Sequence, residues 1–174
     1  MSNPLVDYLS NTKPEDVNPA FCAYIASLQE VAKVQPTIAK NIVGELESQR
    51  SHLKLIASEN YSSMATQLAM GNLLTDKYAE GFAYHRFYAG CDNIAEIEAA
   101  AVEEAKSIFG CDHAYVQPHS GADANMVAYW AILNTRVEIP ALEKFGNTNP
   151  AKLSQEDWEK IRTELGNQRL LGLD

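Results

Sequence analysis

The chain has 174 residues, of which 46% are apolar and 21% charged, a composition typical of a folded globular protein and not of a disordered one. Its formal net charge of −9 makes nucleic acids and anionic membrane surfaces unfavourable partners, because both are themselves negatively charged. The three cysteines are an odd number at wide spacing, which favours free thiols in a reducing compartment over a disulfide scaffold.

The first residues lack a basic segment followed by an apolar one, so a signal peptide is not expected. The longest uncharged apolar run, 126–133, is far too short to span a bilayer. These features predict a cytoplasmic protein with no membrane segment.

The first third of the sequence has a helical pattern. Residues 1–19 are polar and contain prolines, which indicates an arm lying over a surface. Between 20 and 53, apolar residues recur at helical spacing on both sides of Pro36. Because proline breaks a helix, two amphipathic helices are predicted, separated at this residue.

The middle of the chain alternates helices with a glycine-containing loop. A short helix is predicted at 63–74, followed by a loop at 75–93. The clearest helix covers 94–109, and Gly110 is expected to end it as a C-terminal cap. Glu103 and Lys106 should pair on its outer side.

The last third is predicted to begin with a brief strand at 114–117. A helix over 120–133 follows, and it is apolar nearly all round, so we expect it to be buried. Residues 134–149 are expected to form a connector with little regular structure, and Ser154 is expected to cap a helix that runs to Leu165. Helix, strand and helix in this order indicate an α/β protein, although one strand is too few for a sheet.

Polar and aromatic side chains crowd the stretch 55–90. A fold gains little from so many hydrogen-bonding groups in loop backbone, whereas an active-site loop needs them. The residues concerned are Ser58, Glu59, Asn60, Tyr61, Tyr78, Glu80, Tyr84, His85, Arg86 and Tyr88.

Glu80 is the candidate acid or base in this stretch. Neighbouring aromatic side chains could remove water from its carboxyl group and raise its pKa, as general acid–base catalysis requires. A solvated loop glutamate is the simpler interpretation of its position. Similarly, Ser58 could bind a carboxylate or could cap the helix that follows it.

The segment before the helix at 120–133 is a candidate anion site. The hydroxyl of Ser120, the close approach allowed by Gly121 and the backbone N–H of Ala122 could together hold a phosphate at the helix N-terminus. The alternative is that Ser120 is only an N-cap, worth about 1 kcal/mol. A P-loop lysine is missing, which disfavours a nucleoside triphosphatase.

Zinc is not expected to bind this sequence. Cys111 and His113 are the only closely spaced pair of soft ligands, and a second pair that would complete a metal site is missing. We therefore predict no metal.

Four segments carry a family resemblance: IASEN at 56–60, DKYAEG at 76–81, RFYAGC at 86–91 and VQPHSGADAN at 116–125. In this order and at these intervals they resemble the serine hydroxymethyltransferases. That family uses pyridoxal 5'-phosphate to interconvert serine and glycine, and passes the one-carbon unit to tetrahydrofolate. The resemblance therefore implies a transferase of one-carbon metabolism and amino-acid biosynthesis.

The resemblance also implies an architecture. The chain would be the N-terminal part of an α/β domain of fold type I, the aminotransferase-like fold of pyridoxal-phosphate-dependent enzymes. This stretch of the domain would be rich in helix, and the assembled protein would be a homodimer or tetramer. Residues 1–53 would be a helical arm and 54–174 the start of the large cofactor-binding domain. From the motif spacing, 134–169 is predicted to be an insertion, because connections of this kind usually have about 2–6 residues.

Site roles follow from the same resemblance. Glu80 would be the catalytic acid–base group that manages the proton of the substrate hydroxyl. Ser58 would bind the amino-acid carboxylate, and Tyr88 would line the substrate and folate end of a site shared between subunits. The residues that would hold the cofactor phosphate are Tyr78, reaching across from the partner subunit, with Ser120, Gly121 and Ala122.

Some positions depart from the family pattern. Ala122 stands where a second serine is common, so one hydroxyl contact to the phosphate would be lost. Phe87 replaces a usual tyrosine, and Ala83 with Tyr84 stands for a Pro-Gly turn. These changes bear on loop shape and folate affinity more than on the class of reaction.

In this family a lysine carries the cofactor, and none of the lysines of this chain lies in a matching sequence context. The histidine and the aspartate that contact the pyridine ring of the cofactor have no matching residues here either. Those residues belong to a later part of the family's sequence. We therefore expect an N-terminal piece of such an enzyme, inactive alone. The alternatives are a truncated, non-catalytic paralogue that associates with full-length subunits, or a small phosphate-ligand-binding domain.

Overall fold

The computed structural model describes residues 3–146, 149–169 and 171. These residues are mostly helical, and they divide into two compact units, Met1–Tyr78 and Ala79–Asp174. The assignment of 1–53 as an arm, of 54–174 as the start of a larger domain and of 134–169 as an insertion stays a prediction.

The first unit contains four α-helices among its described residues: α1 (Pro4–Asn11), α2 (Pro19–Val34), α3 (Pro36–Ser51) and α4 (Met64–Met70). The predicted break at Pro36 is confirmed, since α2 ends at Val34 and α3 begins at the proline itself. A proline suits the first helical position because its missing N–H has no intrahelical partner there.

Residues 3–19 form more regular structure than the polar arm that was predicted for 1–19. Asn3 caps α1 and Asn18 caps α2, each accepting hydrogen bonds from two backbone N–H groups of the following turn. The Tyr8 ring meets Phe21 edge to face at 4.7 Å, and its hydroxyl accepts from the N–H of Asn18 at 3.0 Å. These contacts attach α1 to α2.

The second unit begins with a hairpin of two short antiparallel strands, β1 (Gly81–Phe82) and β2 (His85–Arg86). The helices α5 (Asp92–Phe109) and α6 (Gly121–Leu133) follow. Two predictions for α5 are confirmed: Gly110 caps its C-terminus with φ +61°, and Glu103 pairs with Lys106 at 2.9 Å. The hairpin lies inside the stretch that was predicted to be a loop.

The predicted strand at 114–117 is wrong. Its residues are not assigned to a strand, and the described residues offer it no neighbouring strand. Backbone N–H and C=O groups of a strand need such a partner to form a ladder. Among the described residues, the strands are those of one two-stranded hairpin, so the α/β fold stays a prediction.

The connector predicted at 134–149 is also wrong for its described residues, outside which 147 and 148 lie. A π-helical turn (Asn134–Glu138) continues α6 directly into α7 (Ile139–Lys144). Pro140 has no N–H to donate to the carbonyl of Arg136, and its ring crowds that carbonyl, so the regular ladder is interrupted at this point.

The helix α8 (Gln155–Gly166) packs back on this turn. Its predicted cap is confirmed: Ser154 Oγ accepts from the N–H of Asp157 at 3.2 Å and donates to its carboxylate at 2.7 Å. Ile161 is fully buried against Ala141 and Leu142, and the cluster is completed by Leu153, Trp158 and Leu165.

The expectation that α6 is buried is wrong for this chain. Its apolar side chains face solvent, including Trp130 at 69% and Ile132 at 55% exposure. A helix that is apolar on all sides needs neighbours on all sides, and the described residues supply too few.

The hairpin turn forces a tyrosine into a conformation that suits glycine. Tyr84 has φ +62°, whereas the preceding Ala83 does not have a positive φ. This is the pattern of a type II turn, in which Gly or Asn is favoured at the second central position. The turn therefore has the backbone shape of the Pro-Gly sequence that the family resemblance implies.

We expect Tyr84→Gly to be more stable than Tyr84→Ala by about 1 kcal/mol, because only alanine has a Cβ that opposes the left-handed conformation. Both variants lose the hydrogen bond from the Tyr84 hydroxyl to Glu96, so that loss cancels. The measurement is the free energy of unfolding by chemical denaturation. Equal stabilities would contradict a positive φ at this position.

Candidate functional site

Glu80 lies immediately before β1, and its carboxyl group is exposed. The backbone carbonyl of Glu80 accepts a hydrogen bond from the N–H of Phe87 at 3.1 Å, which closes the hairpin. The neighbouring Tyr84 and Tyr88 are 65% and 55% exposed. Within the described residues, therefore, the aromatic side chains do not enclose the carboxyl as the sequence led us to expect.

Gly81 can only be a glycine. It has φ +111°, and a Cβ at this position would overlap the carbonyl oxygen of His85 on the facing strand. Because that oxygen belongs to the backbone, it cannot move without opening the hairpin. The glycine thus fixes the backbone that directly follows Glu80.

We expect Gly81→Ala to destabilise the chain by about 2 kcal/mol, through backbone strain and the overlap with His85. Gly44→Ala is the matched control: Gly44 lies in the middle of α3 with open space around it, so alanine should stabilise the helix by about 0.5–1 kcal/mol. Denaturation of the two variants should give shifts of opposite sign. Shifts of the same sign would contradict this account of the hairpin.

The nearly buried guanidinium of Arg86 binds backbone carbonyls at the start of the hairpin. Its Nη1 donates to the carbonyls of Ala79 and Gly81, both at 2.8 Å, on the two sides of Glu80. Its Nη2 donates to Oε2 of Glu98 on α5 at 2.6 Å, and the two side chains are 6% and 15% exposed. This is a nearly buried ion pair next to the candidate acid–base residue.

Glu98 accepts two further hydrogen bonds. Its Oε1 receives the N–H of Ala83 at 3.2 Å and Nε2 of Gln117 at 2.9 Å. Burial raises the pKa of Glu98, but the hydrogen bonds and charge of Arg86, with Gln117 and Ala83, lower it below its ordinary value overall. Glu98 is therefore ionised at neutral pH, and sequence reasoning did not single out either Glu98 or Gln117.

Gln117 also connects the hairpin to the segment before α6. Its Nε2 donates to the carbonyl of Gly81 at 2.8 Å, across 36 positions of the sequence. Gln117 lies three residues before Ser120, so the candidate anion site and the Glu80 loop are joined through one side chain.

The N-terminus of α6 has the form that both interpretations of Ser120 require. Ser120 is the N-cap, since its Oγ accepts from the N–H of Asp123 at 3.1 Å. The first intrahelical bond runs from Ala124 to the carbonyl of Ser120, so the N–H groups of Gly121 and Ala122 precede the ladder and point out of the helix. The observed cap therefore does not conflict with the predicted anion site, to which Ala122 would contribute an N–H without a hydroxyl.

Ser58 does not cap a helix. It lies in a turn closed by the hydrogen bond from the N–H of Glu59 to the carbonyl of Ile56, at 3.0 Å. The cap of α4 is Ser63, whose Oγ accepts from the N–H of Thr66 at 3.2 Å. The capping alternative for Ser58 is therefore wrong.

A small pocket of about 320 Å³ surrounds Ser58 in the first unit. Lys54 lies in it and is paired with Glu45 at 2.9 Å and with Glu59 at 3.4 Å. The hydrogen bond to Glu45 raises the pKa of Lys54 above its ordinary value. Lys54 and Ser58 line the same pocket, but the charge of Lys54 is already paired with the two glutamates, so Ser58 is the remaining donor predicted to bind a carboxylate.

Tyr78 ends the first unit and is 69% exposed, whereas Tyr88 follows the hairpin in the second unit. Phe87 is 78% exposed. The roles assigned to these residues stay predictions. Among the residues that the structure describes, a group of three or more metal-ligating side chains is not found, and neither is a helix long and apolar enough to cross a membrane.

Comparison with known proteins assigns the family. A family model described as serine hydroxymethyltransferase matches residues 31–148, which include every predicted site residue. The chain belongs to the serine hydroxymethyltransferase family.

Curated relatives agree with this assignment. The serine hydroxymethyltransferase of Treponema pallidum is 59% identical over 96% of this chain and 29% of its own length. That of Mycolicibacterium smegmatis is 56% identical over 88% of the chain and 31% of its own length, and that of Cutibacterium acnes is 48% identical over 99% and 35%. The chain thus spans about a third of the length of these relatives.

Proposed function

We propose that this chain is the N-terminal portion of an enzyme that interconverts serine and glycine and exchanges the one-carbon unit with tetrahydrofolate. The observation that carries the proposal is the family match over 31–148, which contains all four motifs and every candidate site residue. The remainder of such an enzyme would complete a fold type I domain and supply the lysine that carries pyridoxal 5'-phosphate.

The residues present fit the phosphate of this cofactor. The hydroxyl of Ser120 and the N–H groups of Gly121 and Ala122 would hold it at the positive end of α6. Tyr78 would add a hydroxyl from the neighbouring subunit. When bound, the cofactor supplies an electron sink for cleaving and forming the bond between the α and β carbons of the amino acid.

The chain's own residues would bind the substrate and move its proton. Ser58, which lines the small pocket of the first unit, would hold the amino-acid carboxylate, and Tyr88 would line the substrate and folate end. Glu80 would take the proton from the serine hydroxyl as the one-carbon unit leaves, and return it in the reverse reaction. In this proposal, enclosure of the exposed Glu80 carboxyl comes from the neighbouring subunit and the remainder of the enzyme.

The test is a chimera in which this chain replaces the matching stretch of the Treponema pallidum enzyme, whose 59% identity favours compatible packing. We expect the chimera to bind pyridoxal 5'-phosphate and to convert serine to glycine with tetrahydrofolate, at a rate within tenfold of the parent. A folded chimera that binds the cofactor without converting serine would overturn the proposal, and would favour a non-catalytic subunit.

A further inference from the structure

The clearest feature that the proposed function does not use is the polar network of Arg86, Glu98 and Gln117. Its central carboxylate, Glu98, accepts three hydrogen bonds, from Arg86, Gln117 and the N–H of Ala83. Arg86 and Ala83 belong to the hairpin, and Gln117 belongs to the segment before α6. The network therefore joins the hairpin, the helix α5 and the segment before α6.

Both carbonyls that flank Glu80 are fixed by this network. Arg86 Nη1 donates to the carbonyl of Ala79 before it and to that of Gly81 after it. Gln117 donates to the same Gly81 carbonyl. The position of the Glu80 backbone is thus tied to Gln117, and through the next three residues to Ser120.

Stability alone gives little reason for this arrangement. A nearly buried ion pair rarely stabilises a protein more than well-packed apolar residues of similar size, because both charges lose their water. Arg86 Nε is moreover buried without an acceptor among the described residues, which is a further cost. Directional hydrogen bonds, in contrast, fix geometry in a way that apolar contacts do not.

We infer that Glu98, acting through Arg86 and Gln117, is a positioning residue. It keeps the Glu80 loop at a fixed position relative to the N-terminus of α6, where the anion would bind. The inference rests on the proposed function for the roles of Glu80 and Ser120. A displacement of about 1 Å at a reacting group can lower a rate about 100-fold. A fixed position of Glu80 relative to the N-terminus of α6 therefore keeps the reaction rate high.

The experiment replaces the ion pair by apolar residues. In the chimera, the double variant Arg86→Met with Glu98→Leu exchanges the buried pair for packing. It also removes the partners of the Ala83 N–H and the Ala79 carbonyl, so we expect a lowered melting temperature, and the assay is run well below it, where the variant is folded. Its kcat should nevertheless fall about 100-fold, with KM for serine within about threefold. An unchanged kcat in this folded variant would overturn the inference.

A second readout does not depend on activity. In the 174-residue chain, Glu98→Gln keeps the shape of the side chain and removes its charge. We expect amide hydrogen exchange at Phe87, which donates to the carbonyl of Glu80, to accelerate at least tenfold, while amides in α8 are unchanged. Unchanged exchange at Phe87 would overturn the inference even if the chimera proved inactive.

Glu103→Gln is the matched control. Glu103 lies on the same helix, but its side chain is 70% exposed and pairs with Lys106. It should change neither kcat nor the exchange at Phe87. A parent chimera that folds and binds the cofactor but is inactive, together with faster exchange in Glu98→Gln, would disprove the proposed function and leave the positioning of the loop intact.

Discussion

Glu80→Gln is expected to lower the kcat of the chimera about 10²–10⁴-fold, the range that a positioned acid–base group contributes. Glutamine has the size of glutamate and can still accept a hydrogen bond, but it cannot take up the proton of the substrate hydroxyl. The absorbance of bound pyridoxal 5'-phosphate should be unchanged, because Glu80 has no assigned contact with the cofactor. Steady-state kinetics with serine and tetrahydrofolate measure the effect.

Glu104→Gln is the control for this substitution, since Glu104 is an exposed glutamate on α5 and has no assigned role. It should leave kcat within twofold of the parent chimera. A Glu80→Gln variant with nearly full activity would show that another group handles the proton, and the role given to Glu80 would be wrong.

Ile161→Ala should destabilise the helical cluster of the second unit by about 2–5 kcal/mol, through lost burial and the cavity that remains. Ile161 is fully buried, and Leu142, which packs against it, is 5% exposed. The chain contains two tryptophans, so a Trp130→Phe background leaves the fluorescence of Trp158 as a probe inside the cluster. Urea denaturation followed by this signal gives the change in unfolding free energy.

Ile132→Ala provides the same chemical change at an exposed site. Ile132 is 55% exposed on α6, so its truncation should change stability by no more than about 0.5 kcal/mol. Similar losses for both variants would contradict the location of the core at Ile161.

The helix boundaries that were predicted correctly depend on local chemistry. Pro36 starts a helix because of its fixed φ, Gly110 ends one because it accepts a left-handed conformation, and Ser154 caps one through its own hydroxyl. Such signals act within a single helical turn. They can be read from neighbouring residues without knowing the fold.

The errors concern features that depend on distant partners. The segment 114–117 has strand-like residues, but a strand forms only beside another one. The helix α6 has a core-like composition, yet its burial would need neighbouring elements that the described residues do not supply. A local sequence pattern indicates which structure a segment favours, but whether that structure forms depends on contacts with distant residues.

Glu98 could have been noticed in the sequence. It lies four residues after Ile94 and three before Ala101, so it places a carboxylate in the apolar stripe of α5. A charge in that position requires a buried partner. The identities of Arg86 and Gln117 as its partners could not be foreseen, because the contact with Gln117 spans 19 positions and depends on the hairpin.

The uncovered apolar side chains of α6 also determine how this chain should behave in solution. They favour self-association, whereas the net charge of −9 keeps the molecules apart at neutral pH. Near the isoelectric point of about 4.9 that repulsion disappears, and high salt screens it at any pH. The chain should therefore precipitate most readily in mildly acidic or salt-rich buffers and remain monodisperse in dilute buffers above neutrality.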